Sequence, residues 1–183
     1  MTLLPSRDEC FELLEQHAMP VHIRRHSQMV ARVALFITAG LNRNSCRLDV
    51  GMVEAAALLH DIGKMSGLET GENHAELGAR MLAGIVAPQV AAIVREHIYL
   101  DSSQTEGPLT ESLIVNYADK RVKHDQIVSV RERYEDLIER YARSASQAGM
   151  LRGKLDLYLA LERTIFSHLP IAPHDPEIMG ITV

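Results

Sequence analysis

The stretch Ala55-Ala56-Ala57-Leu58-Leu59-His60-Asp61-Ile62-Gly63-Lys64 carries an apolar run straight into an imidazole, a carboxylate and an ammonium. Packing alone does not ask for that sequel. A helix through Val53, Ala56, Ala57 and His60 presents one buried face that ends on His60, and Gly63 suits the left-handed turn that closes helices. His60 and Asp61 are therefore expected where a helix stops inside a core. A neutral imidazole beside a carboxylate in a partly dry site is costly unless both are satisfied, and a divalent cation satisfies both directly.

The chain has 183 residues, enough to bury one sizeable core without disulfides, and no linker divides it, so a single domain over 1–183 is expected. Aromatics make up 4% and Trp is absent, while Leu, Ile, Val and Ala are plentiful; this points to an all-α bundle of several helices. Cys10 and Cys46 are an unpromising pair to bridge, and Met1-Thr2-Leu3-Leu4-Pro5 has neither a basic start nor a long apolar core, so a reduced, cytoplasmic protein is expected. No apolar stretch approaches the roughly 20 residues that cross a bilayer. A formal charge of -5 argues against an extended nucleic-acid surface and leaves room for a small cationic patch around one phosphate.

Outward from the central stretch, the elements follow from capping and period. Ser6 with Glu9 forms a capping box for a short helix through Phe11, Leu13 and Leu14. From Pro20 to Leu41 one stripe reads Val30, Val33, Ile37, and stepping back along it lands on His26. Asn42 to Asp49 is polar, and Asp49 can cap the helix that runs to Gly63. Met65 to Gly71 is expected to be a loop. Asn73 caps a helix with His74 in its first turn and Leu77, Met81, Leu82 and Ile85 along it; Pro88 opens another with Val90, Ile93 and His97 on one stripe. Leu100 to Pro108 reads as a loop, and Thr110 caps a helix in which Val115, Asp119 and Val122 share a side. Ser129 with Glu132 is a further capping box, opening a charged helix through Tyr134, Leu137, Ile138 and Tyr141 that is assigned to packing, though it is long enough to serve a homodimer. Leu151 to Leu169 makes a last amphipathic helix with Leu155, Leu159, Glu162 and Phe166, followed by an extended tail from Pro170. No segment alternates convincingly at period two, so little or no sheet is expected.

His26, His60, His74, His97 and Asp119 thus come from different predicted helices, each at an inward or terminal position, and such side chains can converge on an ion inside a bundle. Ordinary cores avoid placing so many polar groups inward, since each unpaired one costs on the order of 1–3 kcal/mol. His17, His124, His168 and His174 sit near segment ends or among polar residues, where exposure explains them. His22 lies one turn before His26 on the same face and is either a substrate contact or a solvated first-turn residue.

The order His26, His60-Asp61, Asp119 resembles the HD-domain superfamily of metal-dependent phosphohydrolases, and His60-Asp61-Ile62-Gly63-Lys64 looks like its HDIG subgroup. The resemblance covers about residues 20–124 and includes His74-Ala75-Glu76-Leu77-Gly78-Ala79 and Glu96-His97; the helices over 129–169 would pack on that core. It implies that His26, His60, Asp61 and Asp119 hold a first metal ion, and that His74 and His97 take a second with Asp61 bridging. The Glu-Asp pair of stringent-response nucleotide hydrolases and the Gly-Tyr-Pro signature of cyclic-di-nucleotide phosphodiesterases are absent, as are the RNA-binding and membrane segments of HDIG ribonucleases. What remains is similar to small stand-alone bacterial HD hydrolases, including dinucleoside tetraphosphate hydrolases with six metal ligands.

Imidazole and carboxylate donors without thiolate suit Fe, Mn, Co, Ni or Zn. Such ions would acidify a water for attack on a phosphomonoester, phosphoanhydride or phosphodiester of a nucleotide-like substrate. Asp61 is expected to bridge the ions and handle the water proton, Lys64 to neutralise charge on the phosphoryl oxygens, and Lys120 and His22 to contact substrate. Lys64 is alternatively a favourable helix-end cation, and most of Lys120, Arg121 and Lys123 a solvated face. Two other functions fit the same residues: a di-iron HD-type oxygenase, and a regulatory module whose metal only holds the fold.

Overall fold

A computed structural model describes residues 3–44 and 46–182. Met1 and Thr2, the start of the stretch read above for a targeting signal, and Ser45 within the polar break lie outside the described residues. Helices dominate, in the order α1 (Arg7–Gln16), α2 (Val21–Arg43), α3 (Val50–Leu59), α4 (Lys64–Thr70), α5 (His74–Leu82), α6 (Pro88–Glu96), α7 (Ser102–Thr105), α8 (Glu111–Lys120), α9 (Val130–Tyr141), α10 (Ala145–Ser167) and α11 (Pro176–Met179). The sheet is a single antiparallel hairpin of β1 (Val122–Lys123) and β2 (Gln126–Ile127) between α8 and α9. The all-α expectation holds.

α3 is the centre. Residues Ala55 to Leu59 are all buried, so the helix is apolar on every side and has neighbours on every side: α2, α1, α6 and α8. Its alanines let α2 approach closely, and α2 answers with Val30, Ala31, Val33, Ala34, Ile37 and Leu41, none of them exposed. α5 packs on α6, and α10 lies across α7, α8 and α9. The buried apolar side chains form one continuous cluster from Cys10 to Ile178.

The caps follow the local sequence rules. Ser6 and Ser129 each make both halves of a capping box, and Asp49, Asn73 and Thr110 each accept a backbone N–H of the helix they open. Several other expectations are corrected. Gly63 is right-handed (φ -82°, ψ -1°), so a left-handed turn is not its purpose. A Cβ there would stand 2.3 Å from the His74 carbonyl oxygen and 2.5 Å from the Gly78 amide nitrogen, so the glycine lets α5 lie directly on the turn. Residues 65–71 are not a loop: the chain turns from Lys64 into α4, which buries no side chain and ends at Gly71 with φ +76°, the left-handed cap. α5 stops at Leu82, leaving Ile85 about half exposed. Within 100–108, Asp101 and Gln104 cap the short α7, and the tail beyond Pro170 is not simply extended, because α11 buries Ile178. Arg121 is not solvated. It is 1% exposed and donates to Tyr117 Oη, the Val128 carbonyl and the Pro173 carbonyl, with Glu162 at 3.7 Å.

No helix among the described residues is long and apolar enough to cross a membrane, and Cys10 and Cys46 are both free thiols.

Candidate metal centre

The chain leaves α3 at Leu59 and turns through His60, Asp61 and Ile62, all buried, before α4 begins. His60 caps α3, and its Nδ1 donates to the Ala57 carbonyl at 2.8 Å, one of the helix-end oxygens that lack an intrahelical partner. His97 repeats the device at the end of α6, with Nδ1 2.6 Å from the Val94 carbonyl. His26, inside α2, gives its Nδ1 proton to the His124 carbonyl at 2.8 Å across the β1–β2 turn, where His124 has φ +58°. A histidine that spends its proton at Nδ1 keeps a lone pair at Nε2, so all three present a ligand atom to the same interior. His74 joins from the first position of α5, and ring centroids step 5.4 Å from His26 to His60, 5.0 Å to His97 and 5.1 Å to His74.

The carboxylates lie against that row. Asp119 Oδ1 is 3.0 Å from His26 Nε2 and 3.7 Å from His60 Nε2. Asp61 Oδ2 is 3.6 Å from His60 Nε2, and its Oδ1 is 3.4 Å from His74 Nε2. His74 Nε2 and His97 Nε2 stand 3.2 Å apart. Atoms sharing one ion at bonds of about 2.1 Å stand about 3.0 Å apart in an octahedral shell and about 3.4 Å in a tetrahedral one, so these separations are within a few tenths of an ångström of a coordination sphere. His26, His60 and Asp119 form one group able to hold an ion, and His60, Asp61 and His97 another. The donor set therefore fits a divalent metal, and one atom argues for it directly: His60 Nε2 is buried with no hydrogen-bond partner among the described residues, an arrangement that costs free energy unless a cation accepts the lone pair.

Electrostatics keep the donors competent. Burial, with the His60 imidazole beside it, pushes His97 down to about 3, and burial lowers His60 and His74 against the pull of Asp61, so the imidazoles stay neutral at physiological pH. Burial opposes ionisation of Asp61 and Asp119. The positive charge of Lys64 opposes it at Asp61 and that of Lys120 at Asp119, and both carboxyls are held below the usual range. Each aspartate also meets a lysine: Lys64 Nζ is 2.6 Å from Asp61 Oδ2, the oxygen that faces His60, and Lys120 Nζ bonds Asp119 Oδ2, the oxygen turned away from His26 and His60. Lys120 is itself mostly buried, above the Tyr158 ring. Two fixed positive and two fixed negative charges cancel, so added cations would leave the cavity electropositive for a phosphate.

All six residues expected to hold metal are thus brought together, with Lys64 and Lys120 at their rim. His22 is exposed and borders a neighbouring cavity rather than the cluster. Two contributions escaped the sequence. The His124 carbonyl fixes the His26 tautomer, and no residue type announces a backbone oxygen. α9, assigned to packing alone, brings Arg133, Leu137 and Tyr141 to the wall of a cavity of about 380 Å³ over the cluster.

Residues 23–122, just over half of the chain, match the family model described as HD domain. Among curated proteins, a tRNA (cytidine(56)-2'-O)-methyltransferase of Thermoplasma volcanium is 30% identical over 162 residues, 77% of this chain and 46% of that protein. A ribonuclease Y of Treponema denticola is 31% identical over 128 residues, 64% of this chain and 23% of that protein. The chain spans less than half the length of these relatives. A crystal structure of a protein described as a predicted HD superfamily hydrolase, from an uncultured Thermotogales bacterium, aligns over 90% of this chain and 93% of its own, with 23% identity and a TM-score of 0.48.

Proposed function

The chain belongs to the HD-domain family, and from that premise we propose that it is a metal-dependent phosphohydrolase of nucleotide-like phosphoesters, of the HDIG type marked by His60 to Lys64. The observation that carries this reading is the inward lone pair of His60, buried between two carboxylates and unpartnered among the described residues. His26, His60, Asp61 and Asp119 would hold one ion, and His74 and His97 a second together with Asp61. When bound, the ions supply Lewis acidity toward a phosphoryl oxygen and toward water.

The chain's own residues do the rest. Asp61 faces His60 with Oδ2 and His74 with Oδ1, so it would serve both ligand sets. Lys64, 40% exposed at the mouth of the cavity, can exchange its contact with Asp61 for a phosphoryl oxygen and offset charge that grows there. Lys120 does the same from the opposite wall. Burial of His60, Asp61 and His97 keeps bulk water from screening these charges. Support for a nucleotide-like substrate comes from relatives named as a ribonuclease and a tRNA methyltransferase. We read residues 1–183 as one working unit, since α9 walls the cavity that the earlier helices floor.

The test is elemental analysis of the purified protein with a phosphate-release screen over mononucleotides, nucleoside bisphosphates, dinucleoside polyphosphates and cyclic nucleotides. Metal-dependent release that Asp61→Ala lowers by about a thousandfold is expected. Bound iron with oxygen uptake and no phosphate would overturn the reading in favour of an oxygenase. Metal that raises the melting temperature with no turnover would mark a regulatory module.

A further inference from the structure

The cavity over the cluster shares part of its lining with a neighbour. The neighbour has a volume of about 410 Å³, and Lys64, Leu68, Arg133 and Tyr141 line both. Their linings differ in charge. The inner cavity has Asp61, Glu72 and Asp119; among the described residues lining the outer one none is acidic, while Lys64, Arg133 and Arg140 are cationic, with His22 and His124 beside them. This occurs in a protein of net charge -5. The cations are also held in place. Asp136, buried on α9, takes Lys123 at 2.8 Å, Arg133 at 3.3 Å and Arg140 at 2.9 Å, so one negative charge organises three positive ones and leaves an excess. Arg133 makes only its Asp136 bond among the described residues, and its Nε is buried with no partner. A guanidinium fork with uncommitted donors is the side chain best matched to a phosphate. Between the cavities, Leu68 and Tyr141 are largely exposed apolar groups, suited to an organic linker rather than to a run of phosphates.

We propose that the outer cavity is a subsite for a second phosphate, read by Arg133, so that the preferred substrate is a nucleoside carrying two separate phosphates, one cleaved over the metal centre and one held outside it. This rests on the hydrolase reading above and names the substrate class for it. Arg133 is a specificity-determining residue, and Arg140 supports it.

The experiment compares adenosine 3′,5′-bisphosphate with adenosine 5′-monophosphate in two ways: kcat/KM of the metal-loaded enzyme, and binding by calorimetry to metal-stripped protein in EDTA. The wild type is expected to favour the bisphosphate in both, and Arg133→Gln to cut both preference ratios by about tenfold, the worth of a charge-assisted hydrogen bond, with Arg133→Lys restoring part of the loss. Ratios that stay within about twofold of wild type overturn the subsite. If no compound of the phosphate-release screen is hydrolysed with any metal, the hydrolase reading fails, while the metal-free binding ratio still decides the subsite. If Arg133→Gln does not fold, Arg140→Gln, at a half-exposed side chain, is read in the same way, and an unmoved ratio there overturns the proposal.

Discussion

At His60 the interests of stability and of ligand binding oppose each other. Its Nε2 is buried without a partner, so in metal-free protein the residue carries a desolvation cost that an apolar side chain of similar size would not. His60→Leu removes that cost together with the Nδ1 bond to the Ala57 carbonyl, so the metal-stripped protein is expected to keep its stability within about 1 kcal/mol, read from the urea midpoint in EDTA, while the same variant fails to retain metal by elemental analysis. A midpoint lowered by more than that in EDTA would show that the imidazole is worth more to packing than its orphaned nitrogen costs. Gly63 is governed by space. The His74 carbonyl and the Gly78 amide leave no room for a methyl group, and both belong to backbone that cannot swing away. Gly63→Ala is expected to cost about 2–3 kcal/mol in thermal or urea unfolding, and to weaken metal binding at the His74 side first. His26, His60, His97 and Asp119 stood out in the sequence because each is a polar intruder in an apolar stripe, whereas the ligand roles of Asp61 and His74 came from the family resemblance. The reason for Gly63 was not legible, since it depends on a helix that begins eleven residues later and packs back across it.

Among the elements, α4 stands apart. It buries no side chain, closes at a left-handed glycine and packs mainly on α5, yet it supplies Lys64 and Leu68 to both cavities. Elements with little apolar contact open first. Amide hydrogen exchange is expected to be fastest in α4 among the helices that wall the site and slowest in α2 and α3, with α4 gaining protection when metal and inorganic phosphate are added together. Equal protection in α4 and α3 would contradict this. The same thinness explains why residues 65–71 read as a loop: two glycines and no apolar stripe give a period search nothing to find. The helices opened by Ser6, Asp49, Thr110 and Ser129 were legible because a cap is a local bargain between residues two or three apart. α9 packs on α8 and α10 as read, but its share in the cavity wall was not legible, because the rest of that wall comes largely from α4, α5 and the end of α6, far away in sequence.

For the molecule as a whole, pH couples folding to the metal centre. Burial depresses the folded-state values of His97, to about 3, and of His60 and His74, whereas the unfolded chain titrates near 6.5. Below about 6.5 the unfolded state takes up protons that the folded state refuses, so the stability of the metal-free protein is full above that pH and is lost as pH falls toward 3. The lowered carboxyls of Asp61 and Asp119 act in the same direction below about 4. Denaturation midpoints of the stripped protein between pH 8 and 4 check this, and a midpoint that rises on acidification would contradict it. The all-helical class was legible from composition and period, because one core of aliphatic residues leaves few alternatives. The burial of Arg121 was not, since its acceptors come from the hairpin, α8 and the tail together. That guanidinium makes the last stretch of chain a keystone rather than a trailing end. A protease that nicked the backbone ahead of Pro173 would loosen one acceptor of a charge in the dry interior beside α8, the helix that carries Asp119, so damage at the rim of the fold would be felt at its centre.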